Sequence, residues 1–339
     1  MNQDRQGILA AGNFIVDRIK RIDAYPAENM LATIESESRS NGGGPYNVLK
    51  DLAAMGVGYP LSAAGRIGAD GDGDWIINDC RAHGIDSSLL LQDASQTTSY
   101  TDVMTAKGTG RRTFFHQRGA NANFMGVRID FEKCPARMFH LAYLLLLDGL
   151  DAFASDGRTY ASHLLERASN AGLITSIDVV SADHARFRDV VLSSLPYADH
   201  LLINEVEAGR TLGREIDPAN AGAVSRAAVD LLECGVRQAV VLHTEFGAAR
   251  AGADGSSHQQ GAVCVPAESI EGANGAGDAF AAGYLHGVHE KMSPEESLEL
   301  AACTAAACLS DSSPSRGVRS IEACLEFGRR VGFRGQEVL

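Results

Sequence analysis

The sequence lacks long hydrophobic runs. The longest one, residues 141–147, ends at Asp148 and is too short to cross a bilayer, and we expect no signal peptide at the amino terminus. Basic residues are a minority, because 30 Lys and Arg stand against 43 Asp and Glu and leave a net charge of −13. Nucleic-acid binding and anionic membranes both require a basic surface, so this balance argues against both partners. The sequence predicts a cytoplasmic protein that acts on small molecules.

Cysteine pairs and metal-ligand spacings are also missing. The seven cysteines form no C-x-x-C pair, and the ten histidines show no ligand spacing. This pattern predicts neither a disulfide framework nor a zinc site. No G-x-x-x-x-G-K-[ST] segment occurs, which excludes a P-loop kinase, and no G-x-S-x-G segment indicates a serine hydrolase. At 339 residues with 45% hydrophobic content, the chain has room for one large α/β domain or two smaller ones.

Short β-branched or Leu-rich runs alternate with Ala-rich stretches of helical period. The predicted buried strands are residues 8–11, 143–147, 173–179, 200–203 and 239–242. The helices predicted between them are residues 161–171, 205–212 and 223–234. Regular alternation of strand and helix predicts a parallel sheet that is covered by helices on both faces.

Two regions interrupt this alternation. Residues 15–38 and 97–117 carry the alternating pattern of exposed strands, and a polar turn at residues 107–110 divides the second region into a hairpin. These regions fit either a small accessory sheet beside the main one or an additional edge hairpin of the main sheet.

The strongest local motif is the segment 274–280, which is followed by a good helix-forming sequence. The backbone amides of Gly275, Ala276 and Gly277 would lie at a helix amino terminus, where free N–H groups and the helix dipole attract phosphate. Asp278 in the first turn is expected to stay ionised and to accept a proton from a hydroxyl group. The alternative is a structural glycine-rich turn in which Asp278 only complements the helix dipole.

Two further polar motifs precede predicted helices. Gly43 and Asn47 lie in a glycine-rich segment that suits a sugar diol, or that simply forms a turn before a helix. Asn204 and Glu207 follow the strand at residues 200–203 and are placed to organise Mg²⁺ and its waters, although the same spacing makes a helix capping box.

The order of these motifs resembles the ribokinase-like (phosphofructokinase B-type) carbohydrate kinase family. The glycine-rich segment with Asn47, the N-x-x-E segment and the G-A-G-D segment occur in the order of that family. Residues 65–70 resemble its G-x-x-G-x-D segment, and residues 119–121 end the hairpin as in ribokinases. The resemblance extends over about residues 8–330.

The resemblance implies a three-layer α/β fold with a mostly parallel central sheet, spanning residues 1–339 as one kinase domain. Residues 15–38 and 97–117 would form a small β-sheet lid, through which such kinases often dimerise. The expected reaction is ATP-dependent phosphorylation of a sugar hydroxyl with Mg²⁺ and possible help from K⁺. The residues implied by the resemblance are Asp278 as the base, residues 275–277 as the anion hole, Asn204 and Glu207 for Mg²⁺, Asp17, Gly43, Asn47 and Asp148 for substrate, and Asn204, Thr244, Gly247 and Gly277 for the nucleotide.

Departures from the family pattern leave other functions open. Gly272 and Ala273 replace the usual Asp-Thr pair near the phosphate and potassium sites, and only Gly247 survives of the family's T-x-G-x-x-G segment. A sugar-binding relative without catalysis is therefore one alternative. A nucleoside kinase is another, with a base stacked on aromatic side chains, for which the candidates are Phe14, Tyr46 and Phe115. An NAD-dependent dehydrogenase is disfavoured, because Phe280 stands at the third glycine of the dinucleotide motif.

Overall fold

The computed structural model describes residues 5–108 and 111–335. Its strands are β1 (Ile8–Gly12), β2 (Ile15–Ile22), β3 (Ile34–Gly42), β4 (Leu61–Gly68), β5 (Ile85–Asp93), β6 (Tyr100–Ala106), β7 (Arg112–Gln117), β8 (Met138–Leu144), β9 (Ile174–Val179), β10 (His200–Asn204), β11 (Ala239–Thr244), β12 (Gly247–Gly252) and β13 (Ser257–Gly261). Its helices are α1 (Gly44–Met55), α2 (Gly71–Ala82), α3 (Asp148–Asp151), α4 (Tyr160–Asn170), α5 (Phe187–Ser194), α6 (Glu205–Leu212), α7 (Ala221–Glu233), α8 (Ala276–Glu290), α9 (Pro294–Cys308) and α10 (Ile321–Val331).

Nine strands form the main sheet in the order β13-β12-β11-β10-β9-β8-β1-β4-β5. The strands from β11 to β5 in this order run parallel, whereas β12 and β13 add to the β11 edge in antiparallel fashion. The sheet is mostly parallel, as the alternation of predicted strands and helices indicated. All carboxyl ends of the parallel strands therefore meet along one edge, which is where ligand sites form in such sheets.

Helices cover both faces of this sheet. Along β1, Ile8 and Ala10 pack against the layer that contains α1, α2, α8, α9 and α10. Leu9 and Ala11 point to the opposite layer, which contains α4, α5, α6 and α7. Side chains alternate between the two faces of a strand, so every buried strand must be apolar on both. The result is the predicted three-layer α/β architecture.

A separate four-stranded sheet, hereafter the lid sheet, has the order β3-β2-β6-β7. Strand β2 pairs antiparallel with β3 and parallel with β6, and β6 pairs antiparallel with β7. This arrangement confirms the accessory sheet over the alternative of an edge hairpin. Strand β3 ends at Gly42 and leads directly into α1, so the lid sheet is joined to the edge of the main sheet where β1 ends.

Most predicted elements are confirmed with shifts of one or two residues, but the strand predicted at residues 143–147 is wrong. The strand in this part of the chain is β8, which ends at Leu144, and the chain then turns at Leu145 with φ of 79°. The apolar residues 145–147 are buried in a loop that leads to α3. An apolar run marks burial, and a buried loop gives the same signal as a buried strand.

Within the described ranges, no helix has the length and apolar character needed to cross a membrane. All seven cysteines lie in the described ranges and carry free thiols, and four of them are buried. Disulfide bonds therefore do not contribute to the stability of this fold.

Candidate active site

Helix α8 begins at the carboxyl edge of the main sheet, next to the lid sheet. Its N-cap is Gly275, which has φ of 79°, and a Cβ at this position would lie 2.6 Å from Cβ of Pro314. Only glycine fits this position without strain. The turn presents the first amides of α8, those of Ala276 and Gly277, at the positive end of the helix dipole, so the segment has the form of an anion-binding turn.

Asp278 lies in the first turn of α8 and is almost completely buried. Its Oδ2 accepts a hydrogen bond from Asn47 Nδ2 at 2.8 Å, and its Oδ1 accepts one from Tyr143 Oη at 2.5 Å. Burial raises the pKa of Asp278 to about 6, while these two hydrogen bonds oppose the increase. The carboxylate is therefore mostly ionised at pH 7, and a base with a pKa near the working pH transfers protons efficiently.

The glycine-rich segment before α1 positions Asn47 against Asp278. Gly43 is the N-cap of α1 with φ of 88°, and a Cβ there would lie 2.1 Å from the backbone oxygen of Asn13. Asn47 in turn accepts a hydrogen bond from Asn41 Nδ2 at 2.7 Å, which fixes the orientation of its amide. Gly43 thus has a backbone role in this structure, and its contact with a sugar stays a prediction.

Asp17 lies on β2 of the lid sheet and faces the same cleft. Its Oδ2 accepts a hydrogen bond from Asn274 Nδ2 at 3.2 Å, which links the lid sheet to the segment before α8. Gly42 leaves room for the carboxylate, since a Cβ at this position would lie 2.4 Å from Asp17 Oδ1. Burial raises the pKa of Asp17 to about 7, and the nearby charge of Asp278 adds to this increase.

Asn204 and Glu207 form the capping box of α6 at the end of β10. Each side chain bonds the backbone amide of the other residue, with distances of 2.9 and 3.1 Å. Ser181 Oγ also donates to Glu207 Oε1 at 2.8 Å. Burial raises the pKa of Glu207 to about 7. Asp178 at the end of β9 is also buried, and burial followed by the charges of Glu207 and Asp278 raises its pKa well above the usual value.

These acidic side chains are candidates for a magnesium site. Within residues 5–108 and 111–335, no three His, Cys, Asp or Glu side chains come close enough to hold a metal ion alone. Mg²⁺ usually keeps several waters and uses only one or two carboxylates together with substrate phosphates. Asp178 and Glu207 are both buried, and the charge of Glu207 contributes to the increased pKa of Asp178, an effect that a nearby cation would oppose. The donor set therefore fits a water-bridged Mg²⁺.

Asp148 lies at the start of α3, at some distance from the base. Its Oδ1 accepts a hydrogen bond from Arg118 Nη1 at 2.6 Å, and about half of its side chain is exposed. The charges of Arg118 and Asp148 both act on His116 of the lid sheet. Asp148 therefore borders the lid side of the cleft, and within the described ranges it forms no hydrogen bond with Asp278. Its role in substrate binding stays a prediction.

A cavity of about 390 Å³ adjoins the amino terminus of α8. Thr244, Gly247 and Gly277 line it, which brings together three of the four positions expected near the nucleotide, whereas Asn204 is not among the residues that line it. Thr244 Oγ1 accepts a hydrogen bond from the Phe246 amide and so fixes the turn between β11 and β12. Most other lining side chains are apolar, as expected of a binding site for a planar aromatic ring. They include Ala262, Val263, Val265, Ile270, Phe280, Ala302, Ala305, Ala306 and Leu309.

Two of the aromatic residues considered for stacking a nucleoside base are not available. Phe14 and Tyr46 are fully buried, and their ring centroids lie 5.5 Å apart in the core. Tyr46 Oη also donates to Asp79. Phe115 on β7 is half exposed, but the alternation along this strand places it on the face opposite to His116. These three rings therefore do not form a base-binding pocket.

Sequence reasoning missed three residues that the structure brings to the site. Tyr143 lies near the carboxyl end of β8 and donates a hydrogen bond to Asp278, but it belongs to no polar sequence motif. Asp178 is the penultimate residue of the buried strand β9, and an acid at the carboxyl end of a buried strand is a signal that marks such sites. The His243 ring lies 3.4 Å from where a Cβ of Gly277 would be, and it packs on Phe280 with ring centroids 5.2 Å apart.

Comparison with known proteins extends these observations. The family model described as pfkB family carbohydrate kinase matches residues 6–321. A nucleoside kinase of Methanothermobacter thermautotrophicus is 25% identical over 293 residues, which cover 84% of this chain and 83% of the relative. A 5-dehydro-2-deoxygluconokinase of Clostridium perfringens is 22% identical over 321 residues, which cover 90% of this chain and 89% of the relative.

A solved structure shows the same fold. The ribokinase of Arabidopsis thaliana complexed with ribose and ATP superimposes with a TM-score of 0.79, at 21% identity. The alignment covers 95% of this chain and 98% of the ribokinase. At this identity the likeness is one of architecture, so the roles of individual residues rest on the geometry described above.

Proposed function

The chain belongs to the pfkB family of carbohydrate kinases, and on that premise we propose that it transfers the γ-phosphoryl group of ATP to a hydroxyl group of a small sugar or sugar derivative, with Asp278 as the base. The observation that carries this proposal is the position of Asp278. A buried carboxylate with a pKa of about 6 lies in the same helical turn as a row of free backbone amides. Phosphoryl transfer to an alcohol needs a proton acceptor beside a site that stabilises anionic charge.

Asp278 accepts the proton as the substrate hydroxyl attacks phosphorus. Asn47 and Tyr143 occupy one acceptor position on each carboxylate oxygen, and a carboxylate offers about four such positions. At least one position therefore stays available to the substrate hydroxyl. The two donors also hold the carboxylate in one orientation. The carboxylate therefore loses little further conformational entropy when the substrate binds.

The amides of Ala276 and Gly277 stabilise negative charge on the transferred phosphoryl group. They are rigid because Gly275 closes the turn against Pro314, and rigid donors need no reorganisation during the reaction. Asp178 and Glu207 would hold Mg²⁺ through its waters, and the ion would neutralise phosphate charge. Asp17 and Asn274 border the sugar side of the cleft and are placed to bind hydroxyl groups.

Replacement of the base tests this mechanism. We expect Asp278→Asn to lower kcat by about 10³-fold or more, because the amide cannot accept the proton, whereas the size and hydrogen bonding of the side chain are largely kept. The measurement is ADP release over a panel of pentoses, hexoses, sugar acids and nucleosides, combined with calorimetric binding of ATP. Binding of ATP should stay within a few-fold of the unmodified protein.

Asp74→Asn is the matched control, since Asp74 is an exposed first-turn carboxylate of α2, far from the cleft. It should leave turnover unchanged. Near-normal turnover in D278N would show that another group takes the proton. Absence of ATP binding in the unmodified protein, with sugar binding retained, would instead favour the non-catalytic relative that Gly272 and Ala273 suggest.

A further inference from the structure

The lid sheet carries a half-buried arginine whose side chain has no partner among the described residues. Arg112 opens β7, and within residues 5–108 and 111–335 its guanidinium makes no hydrogen bond and no salt bridge. Arg21 is likewise unpaired among the described residues, but it is exposed to solvent. Four other basic residues in the lid sheet or its turns form salt bridges: Arg18 and Arg39 with Asp72, Lys20 with Asp102, and Lys107 with Glu35.

Strand register places Arg112 on the face of the lid sheet that meets the substrate cleft. Asp17, Thr101 and His116 lie directly opposite one another on β2, β6 and β7. Thr105 pairs with Arg112 and is four positions from Thr101, so Arg112 shares the face of Asp17. Four positions correspond to about 13 Å along the strand. Because the arginine side chain is long, its guanidinium can lie much closer to the Asp17 carboxylate than this backbone separation.

The electrostatic interaction between the two residues agrees with this placement. Burial lowers the pKa of Arg112, and the Asp17 carboxylate opposes this effect. In the same way, the Arg112 guanidinium is among the groups that oppose the increased pKa of Asp17. A partly buried guanidinium without a hydrogen-bonding partner is unfavourable, so this position favours a ligand that supplies an acceptor, which no described residue does.

We propose that Arg112 binds a carboxylate of the substrate, and that the protein is a kinase of sugar acids. This inference rests on the proposed kinase function and specifies its substrate class. The planar guanidinium forms two parallel hydrogen bonds with a carboxylate, and one positive charge balances one carboxylate. A sugar phosphate would bring up to two negative charges close to Asp17 and Asp278, with a single guanidinium to balance them.

The reaction leaves the carboxylate unchanged. The hydroxyl oxygen forms the new bond to the γ-phosphorus, the bond from that phosphorus to the bridging oxygen of ATP breaks, and ADP leaves. The hydroxyl proton goes to Asp278. Arg112 therefore acts on specificity, because it holds the end of the substrate that does not react.

Matched acidic and neutral substrates test the proposal. The probes are D-gluconate, D-ribonate and D-glucuronate, compared with D-glucose and D-ribose, each with ATP and Mg²⁺. We expect kcat/KM of the unmodified protein to be highest for an acid. Arg112→Gln should lower kcat/KM for that acid about 100-fold, mainly through KM, because it loses a charge-assisted pair of hydrogen bonds. Its kcat/KM for neutral sugars should change less than 3-fold.

Two further variants make the result specific. Arg112→Lys should recover part of the lost activity, because it keeps the charge but not the two parallel hydrogen bonds. Arg39→Gln is the control, since Arg39 lies in the same sheet and pairs with Asp72 outside the cleft. It should keep the preference for the acid.

Several outcomes overturn the proposal. A preference for neutral sugars, for nucleosides or for D-ribose 5-phosphate would exclude a sugar acid while leaving the kinase function intact. An increase in KM for ATP alone in R112Q would assign Arg112 to the nucleotide. Failure to release ADP with every probe, including the neutral sugars and nucleosides, would contradict the kinase function itself.

Discussion

At the scale of single residues, the state of Asp278 depends on two donors from distant parts of the chain. Asn47 comes from α1 and Tyr143 from the end of β8, and both stabilise the ionised carboxylate. Burial acts in the opposite direction and is the larger effect. The pKa of about 6 is therefore a balance in which removal of a donor has a predictable sign.

Tyr143→Phe removes one of these donors without a large change in volume. We expect the pKa of Asp278 to rise by about one unit, because a hydrogen bond to a charged group is worth about 1.5 to 3 kcal/mol and part of this is recovered by water. A base with a raised pKa is protonated at higher pH, so the acidic limb of the kcat/KM profile should move to higher pH. Activity at pH 6 should fall more than activity at pH 8.

The measurement is the dependence of kcat/KM on pH between 5 and 9. Tyr197→Phe is the control, since Tyr197 bonds Arg158 on the far side of the molecule and should leave the profile unchanged. A profile for Y143F that is lower at every pH by the same factor would contradict the prediction. It would show that Tyr143 positions the substrate instead of adjusting the base.

At the scale of elements, the start of α8 depends on one backbone conformation. Gly275→Ala would place a Cβ 2.6 Å from Pro314 Cβ at φ of 79°, so the first turn of the helix must shift. We expect kcat to fall at least about 100-fold, because the amides of the anion-binding turn move away from the phosphoryl group. Substrate binding through Asp17 and Asn274 should be less affected.

Gly84→Ala separates the effect of backbone strain from the effect of displacing the first turn of a helix. Gly84 has φ of 70°, but a Cβ at this position would meet nothing within 4 Å. Both variants carry the cost of a left-handed residue, about 1 kcal/mol, and should show similar losses in the free energy of unfolding from this source. Only Gly275→Ala should lose turnover. Equal kinetic effects in both variants would indicate a general loss of stability instead of a damaged anion site.

Elements whose pattern is local could be predicted from the sequence. The apolar strand at His200–Asn204 and the capping box of Asn204 and Glu207 follow from neighbouring residues, and the structure confirms both. The end of β8 could not be predicted, because residues 145–147 are apolar but belong to a buried loop. A turn of this kind depends on tertiary contacts, which the local pattern does not contain.

The candidate site shows the same division. The G-A-G-D segment and Asn47 carry recognisable sequence patterns, and the structure joins Asn47 and Asp278 by a hydrogen bond. Tyr143 reaches the site only through the arrangement of β8, and it carries no local signal of function. Sequence patterns therefore indicated the residues of the glycine-rich segments that begin α1 and α8, and they missed residues that other elements bring to Asp278.

At the scale of the whole molecule, several buried carboxyl groups lie between the core and the cleft. Burial raises the pKa values of Asp17, Asp178 and Glu207 above their usual range. Each folded-state pKa exceeds the unfolded value, so the folded protein holds more protons than the unfolded chain at intermediate pH. The free energy of unfolding should consequently decrease as the pH rises from the unfolded pKa toward the folded one.

Asp51 is the clearest case, because it is completely buried in α1. Burial raises its pKa well above the usual value, the charge of Asp278 adds to this increase, and Ser315 and Lys50 oppose it. Its contribution to stability is fully present below pH 4 and is lost as the pH rises. Asp51→Asn removes the titration, so the free energy of unfolding of D51N relative to the unmodified protein should increase between pH 5 and pH 8.

The expected increase is at least about 1.4 kcal/mol, which corresponds to one pKa unit. Denaturant unfolding at pH 5 and pH 8 measures this increase. A destabilising effect of the new amide that is the same at both pH values cancels when the two measurements are compared. Asp86→Asn at an exposed position is the control and should show the same relative stability at both pH values. A pH-independent difference for D51N would mean that Asp51 is ionised in the folded protein, which would require a cation or a donor beside it.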